Sequence, residues 1–200
     1  MPDLDLESRA LHPVAGIDEA GRGPWAGPVV AAAVILSPQT IPMGIDDSKR
    51  LSKGKRAALF DQIIETSDVG IGEAKVDEID ALNILQATML AMQRAVAALI
   101  TRPAHILVDG NQLPELPCRA QAIIKGDTRS LSIAAASIIA KEKRDQYMRQ
   151  IGQHYPAYGW ERNAGYGTKE HIEALRRFGP SPHHRRSFKP VRESVDNFYN

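Results

Sequence analysis

Apolar positions along the chain follow two rhythms, and their succession predicts a mixture of strands and helices. Val14 to Ile17 is a short apolar run bounded by Pro13 and glycines, which suits a buried strand, and Val29 to Leu36 reads as a second. Ser52 is placed to cap a helix over about Lys53 to Thr66 that turns Ala57, Leu59, Phe60, Ile63 and Ile64 to the core. Val69 to Val76 alternates as a third strand would. Asp77 or Asp80 caps a short turn, and Ile84 to Ile100 repeats Leu85, Met89, Met92, Val96 and Leu99 at helical spacing. Ile106 to Val108 and Ala120 to Ile124 complete five strands. A long helix starts at Ser132 and stops at Tyr155-Pro156. After a loop rich in Gly, Tyr and Trp, another helix covers about Lys169 to Phe178 and ends at Gly179-Pro180. No internal repeat or low-complexity segment interrupts this order, and one α/β domain over residues 1–200 is expected.

Chemistry collects where strands end. The first strand runs into Asp18-Glu19 and then Gly21-Arg22-Gly23-Pro24, the fourth into Asp109-Gly110-Asn111, and the fifth into Lys125-Gly126-Asp127. In open α/β sheets ligands bind at those ends. Adjacent acids face one site only if the strand bends or stops there, and Gly21 and Gly23 permit a bend. A dinucleotide fingerprint in Gly21-x-Gly23 is disfavoured, because Pro24 and Gly27 lead into a strand where a phosphate loop should open a helix. Each acid alone is an ordinary turn or cap residue; the joint placement carries the signal. Clustered carboxylates select hard cations such as Mg²⁺ or Mn²⁺, and two such ions about 3.5–4 Å apart can clamp a phosphodiester.

Composition narrows the choice further. Cys118 is the only cysteine, which excludes an internal disulfide and a cysteine-based zinc site. The longest apolar run is too short to span a bilayer and residues 1–13 lack a signal-peptide core, so a cytoplasmic protein with no membrane partner is expected. The net charge of +1 hides a division: residues 1–140 hold 13 Lys and Arg against 17 Asp and Glu, and residues 141–192 hold 12 against 5. A basic C-terminal quarter fits a polyanionic partner, with Lys141, Lys143, Arg144, Lys169 and Arg185 as candidate phosphate contacts. The neighbouring His183 and His184 read as part of a solvated tail rather than a transition-metal site.

These residues resemble a known family, the type 2 ribonucleases H, and within it the bacterial ribonuclease HII. The resemblance runs through Val14 to Pro24, Asp47-Ser48-Lys49 with Leu51-Ser52, Val108 to Asn111, Lys125-Gly126-Asp127 and Ile133 to Ile138. It continues through Ala140-Lys141 with Arg144-Asp145, Gly165 to Thr168 with His171, and His184 to Phe188, covering about residues 12–190. It implies a ribonuclease H-like mixed five-stranded sheet flanked by helices, with C-terminal helical elements beside the cleft. It implies that Asp18, Glu19, Asp109 and Asp127 are catalytic and bind two divalent ions, Mn²⁺ or Mg²⁺. Gly21, Arg22, Gly23 and Tyr166 would recognise the 2′-OH of a ribonucleotide, and Lys49 would contact phosphate. The substrates implied are RNA–DNA hybrids and duplex DNA with embedded ribonucleotides, cut on the 5′ side to leave 3′-hydroxyl and 5′-phosphate ends, in replication and repair. A monomer is expected. The family often has a lysine where Ala164 stands, and Arg162 or Lys169 would have to replace its phosphate contact. Phe198-Tyr199 has no glutamine at the spacing of a sliding-clamp peptide, which leaves the tail unassigned. Two other readings use the same acids: a hybrid-binding protein that does not cut, and a metal-dependent phosphomonoesterase. The basic quarter argues against the second.

Overall fold

Val29–Ile35 is apolar at every position because both faces of the sheet are covered there. Ala31 and Ala33 point into one core with a helix over Ile84–Ala97, and Ala32 and Val34 point into another with helices over Lys53–Thr66 and Leu131–His154. The computed structural model describes residues 1–198. Its strands are β1 (Val14–Ala20), β2 (Val29–Ile35), β3 (Asp68–Ala74), β4 (His105–Asp109) and β5 (Arg119–Ile123), in the spatial order β3-β2-β1-β4-β5. β1, β2 and β3 form an antiparallel meander, whereas β4 pairs parallel with both β1 and β5. The helices in chain order are α1 (Asp5–Ser8), α2 (Lys53–Thr66), α3 (Val76–Leu82), α4 (Ile84–Ala97), α5 (Leu131–His154), α6 (Trp160–Asn163), α7 (Lys169–Phe178) and α8 (Lys189–Phe198). This is the mixed five-stranded α/β sheet expected from the sequence.

Small residues set how near the helices come. A Cβ on Gly16 of β1 would run into the backbone of Ser132 and Ile133, so glycine lets the start of α5 lie directly on the strand. The stripe of α4 nearest the sheet is Ala87, Thr88, Ala91, Met92, Ala95 and Val96. Met89 and Leu99, expected in this stripe, are only partly buried, and Leu99 lies beyond the end of α4. Ile64 is 43% exposed, because α2 turns Leu59 and Ile63 inward together with Arg56.

Three boundaries differ from the sequence reading. The short turn after β3 is the helix α3, where Glu78 accepts from the amide of Lys75 at 2.9 Å and so caps its N-terminus. α4 stops at Ala97 rather than Ile100, since the Asp68 carboxylate takes the amides of Ile100 (3.1 Å) and Thr101 (2.6 Å). β1 continues through both acids to Ala20. Its pairing with β4 ends at Ile17 opposite Val108, but its pairing with β2 persists to Ala20 opposite Val30. Asp18 therefore stands where one flank of the strand is released and the other is still held. Ser194 to Phe198 continue α8, and Tyr199 lies outside the described residues.

Candidate active site

The released flank of β1 gathers the acids. Asp18 is only 5% exposed and its Oδ1 accepts from the amide of Glu19 at 2.7 Å. Asp109, the last residue of β4, accepts at Oδ1 from the amide of Gly126 at 2.6 Å, which ties the 3-10 turn Gly126–Thr128 and its Asp127 to the same strand end. Burial raises the Asp18 carboxyl well above the usual range, and the charges of Glu19, Asp109 and Asp127 raise it further. Burial likewise raises Glu19, with Arg22 opposing it, and raises Asp127, with Asp109 and Asp47 adding to the effect. The structure therefore brings all four predicted acids into one electrostatic unit.

Two cations reach its rim. Arg22 Nη1 lies 3.3 Å from Glu19, and Lys49 Nζ lies 3.6 Å from Asp127 Oδ2. Burial pulls the Lys49 ammonium down, but Asp127, Asp47 and Asp18 outweigh it and the net shift is upward. Lys49 is delivered by a built turn: Asp47 accepts from its amide, and Arg56 reaches the Ser48 carbonyl at 3.4 Å while pairing with Glu142 and Asp145 on α5. Among the described residues, no group of three or more His, Cys, Asp or Glu side chains is drawn together closely enough to hold an ion as it stands. Donor type and charge nevertheless fit a hard divalent cation. The set is all oxygen, Asp18 and Asp109 each keep a second carboxylate oxygen, and mutual repulsion is what a cation would relieve.

Beside the acids the loop Gly21 to Pro28 is wrapped around a buried guanidinium. Arg185 is fully buried and donates to five carbonyls: Gly27 through Nε (2.9 Å), Arg22 and Pro24 through Nη1 (3.0 and 2.7 Å), and Gly21 and Pro28 through Nη2 (2.6 and 3.1 Å). Arg144, 1% exposed, donates to Pro28, Ala26 and Ala164 at 3.0–3.1 Å. Gly21 adopts φ 98°, and a Cβ there would occupy the place of the Arg144 side chain. Burial pushes the two arginines down, to about 9 for Arg185 and about 10 for Arg144, so both stay charged at neutral pH. The phosphate contacts expected of Arg185 and Arg144 are thus corrected: Arg185 donates to the loop, and buried Arg144 to the loop and to Ala164. Lys141 is also engaged, 2.7 Å from Asp145 one helical turn on.

Tyr166 stands across the loop. Its ring is 48% exposed, and a Cβ on Gly23 would lie 3.5 Å from its Cε1. Ala164 takes a left-handed conformation (φ 49°) that ends α6, and Arg162 is paired with Glu170, so of the two proposed substitutes for the missing lysine, both exposed to solvent, Lys169 is the one without an ion pair among the described residues.

Behind Tyr166 lie the residues that sequence reasoning missed. His184 is 1% exposed and His171 fully buried, which overturns the solvated-tail reading of His184. Both sit among Tyr158, Trp160 and Trp25. Burial pushes His184 down to about 3, with His171 and His183 adding to the shift. A histidine whose pKa falls on folding stabilises the fold above its unfolded value of about 6.5 and loses that contribution as pH falls toward 3. The expected cost is about 1.4 kcal/mol per pH unit. Urea unfolding of the parent and of His184→Gln between pH 6.5 and 4.5 checks this, since the parent should lose stability faster by that amount. Parallel slopes would mean that His184 titrates normally in the folded chain. Arg144 had a legible signal: it continues the buried line Ala136, Ala140, Arg144, Met148 at four-residue spacing, a lone charge in an apolar stripe. Arg185 lies in a loop, where no periodicity marks it.

Comparison with known proteins gives a consistent answer. The family model described as Ribonuclease HII matches residues 15–191. A ribonuclease HII of Magnetococcus marinus is 57% identical over 201 residues, covering 96% of this chain and 94% of its own length. One from Rhizorhabdus wittichii is 58% identical over 190 residues, covering 95% and 94%. Among solved structures, the ribonuclease H2 of Pyrococcus horikoshii superimposes with a TM-score of 0.77 at 28% identity, covering 94% of this chain and 99% of that one.

Proposed function

Because this chain belongs to the ribonuclease HII family, and is therefore a ribonuclease H and a hydrolase, we propose that it cuts the RNA strand of RNA–DNA hybrids and the 5′ side of single ribonucleotides in duplex DNA. The observation that carries the reading is the carboxylate unit at the ends of β1 and β4, with Asp18 buried beside three other acids and only Arg22 and Lys49 at its rim. Asp18, Glu19, Asp109 and Asp127 would hold two divalent ions, Mg²⁺ or Mn²⁺. When bound, such ions supply an activated water and stabilise the leaving oxygen, giving 3′-hydroxyl and 5′-phosphate ends. The chain's own part is to bind and orient. Arg185 and Arg144 hold the Gly21–Pro28 backbone, so that Gly21, Arg22 and Gly23 face the ribose from one side and Tyr166 from the other. Lys49, largely exposed beside Asp127, would meet a phosphate. Lys141 would contribute through the field of α5 rather than by a direct contact, given its pairing with Asp145.

Such an enzyme would serve ribonucleotide removal in replication and repair, as one domain with its core at residues 12–190, working as a monomer in the cytoplasm. No helix among the described residues is long and apolar enough to cross a membrane.

A 2′-OH both donates and accepts, so it is the group by which one site tells RNA from DNA. Phosphate contacts dominate affinity and carry little discrimination. Tyr166→Phe and Tyr166→Ala should therefore slow cleavage of a duplex with one embedded ribonucleotide by about tenfold or more, each tenfold corresponding to about 1.4 kcal/mol. Binding to an all-DNA duplex of the same sequence should barely change. The assay is run below saturation with chemistry limiting, with each metal and with product ends mapped. If both variants cut as fast as the parent, Tyr166 is a packing residue. Absence of cleavage by the parent with either metal would favour a protein that binds hybrids without cutting.

A further inference from the structure

We propose that His171 positions Tyr166 for ribose recognition, and that His184 acts by fixing the one tautomer in which His171 can do so. The inference rests on the reading of Tyr166 as the ribose sensor. With glycines on both sides and a half-exposed ring, Tyr166 has little side-chain packing to orient it, and its backbone must do so. Its amide donates to the Asn163 carbonyl at 2.9 Å. Its carbonyl accepts from the Thr168 amide at 2.8 Å and from His171 Nδ1 at 3.0 Å.

Proton positions along the chain follow from what each partner is able to do. A carbonyl only accepts, so His171 Nδ1 carries the proton. Its Nε2 is then a lone pair, and it faces two donors, Trp160 Nε1 at 3.3 Å and His184 Nε2 at 2.9 Å. An indole nitrogen only donates, which agrees. His184 can donate from Nε2 because its Nδ1 accepts from the Ser181 amide at 2.9 Å, with the Ser181 hydroxyl also at 3.0 Å. Two neutral rings in opposite tautomers therefore link the Ser181 amide to the Tyr166 carbonyl. A proton added to His171 would set two N–H groups against each other at the 2.9 Å contact between the rings, and one added to His184 would face the Ser181 amide, also at 2.9 Å.

The groups facing the pair are the Trp25, Tyr158 and Trp160 rings, His183 beside His184, and Glu170 beside His171. Nothing in this surrounding requires two histidines for packing alone. What the chain accomplishes is the aim of one carbonyl, and with it the placement of the Tyr166 ring against Gly23. Misplacement of a recognition group by about 1 Å can cost about 10²-fold in rate.

The experiment pairs His171→Leu, which fills the space without a donor, with His171→Asn, whose amide nitrogen can stand in for Nδ1. On the single-ribonucleotide duplex, His171→Leu should lower kcat about 10- to 100-fold, with KM within about twofold of the parent. His171→Asn should recover most of that loss. Added to Tyr166→Ala, His171→Leu should cause no further loss. Equal losses in the two His171 variants, or a loss that multiplies with that of Tyr166→Ala, would overturn the positioning role while leaving the sensor reading intact. A Tyr166→Ala variant as fast as the parent would overturn both, and is recognised by that result alone. Ring ¹⁵N spectra of the unaltered protein at pH 7 give a test independent of any variant's folding. The expected pattern is a protonated Nδ1 on His171 and a protonated Nε2 on His184, and a protonated Nε2 on His171 overturns the proposal.

Discussion

Asp18→Asn and Asp109→Asn should each lower cleavage by about 10³-fold or more, because an uncharged amide is a poor ligand for a hard cation whose stabilisation of the reacting oxygens is worth several kcal/mol. The fold should survive. Both residues use Oδ1 to accept a backbone N–H, from Glu19 and from Gly126, and asparagine keeps that oxygen. Stability without metal should move the opposite way from activity. The Asp18 carboxyl is raised on folding, so its charged form opposes the folded state at neutral pH and the opposition fades as pH falls through the raised value. Removing the charge should raise the metal-free Tm, by about 2–4 °C for each kcal/mol relieved. The measurements are turnover at saturating metal and thermal melts in chelator. Near-parental turnover in Asp109→Asn would remove that residue from the ligand set. A marked fall of the metal-free Tm in Asp18→Asn would make its role structural.

The second large effect is expected at Arg185. Lysine keeps the charge but offers three donors on one atom where five carbonyls converge on a planar fork, so Arg185→Lys should leave at least two of the five hydrogen bonds unmade, with Arg144 still serving only the Pro28 carbonyl. Unsatisfied buried groups cost about 1–3 kcal/mol each. A loss of about 3 kcal/mol or more in urea unfolding is expected, with a fall in Tm of roughly 6–12 °C. In the folded fraction at low temperature, the salt dependence of duplex binding should match the parent. Lys49→Ala, by contrast, should make that slope shallower by about one unit with little change in stability. A shallower slope in Arg185→Lys with an unmoved Tm would restore the phosphate-contact reading.

The contrast between these two residues shows what a sequence does and does not disclose. Lys49 follows an Asp-Ser turn on the surface, where side-chain type alone states the chemistry. Arg185 has the same charge, but its role depends on where residues 21–28 come to rest, about 160 positions away. The same holds across the fold. β2 was legible because burial on both faces leaves an unbroken apolar run, and α5 because small and apolar residues pass into a charged run that Tyr155-Pro156 stops. The end of β1 was not: whether it stops at Ile17 or runs to Ala20 depends on which neighbour still pairs with it, and only the registers of β2 and β4 decide that. The stripe of α4 misled for a related reason. Met89 and Leu99 were counted in it with Met92 and Val96, whereas close approach to the sheet favours alanines, leaving Met89 partly buried and Leu99 beyond the helix end at Ala97. The four acids were found through position at strand ends, but the histidine pair was hidden, since a ring on α7 and a ring in the loop after it give no hint that they meet.

The wrapping of the Gly21–Pro28 loop around Arg185 also sets an order of assembly during synthesis. Chains emerge from the ribosome N-terminus first, and contacts distant in sequence form only when both partners are available. All five strands and α5, and with them the four acids, are complete by residue 154. The ring that holds the loop carbonyls cannot close until residue 185 has been made. The acidic cluster therefore precedes, by some thirty residues of translation, the finished loop beside it, and a ribosome-bound chain halted in that interval would carry the four acids before that loop takes shape.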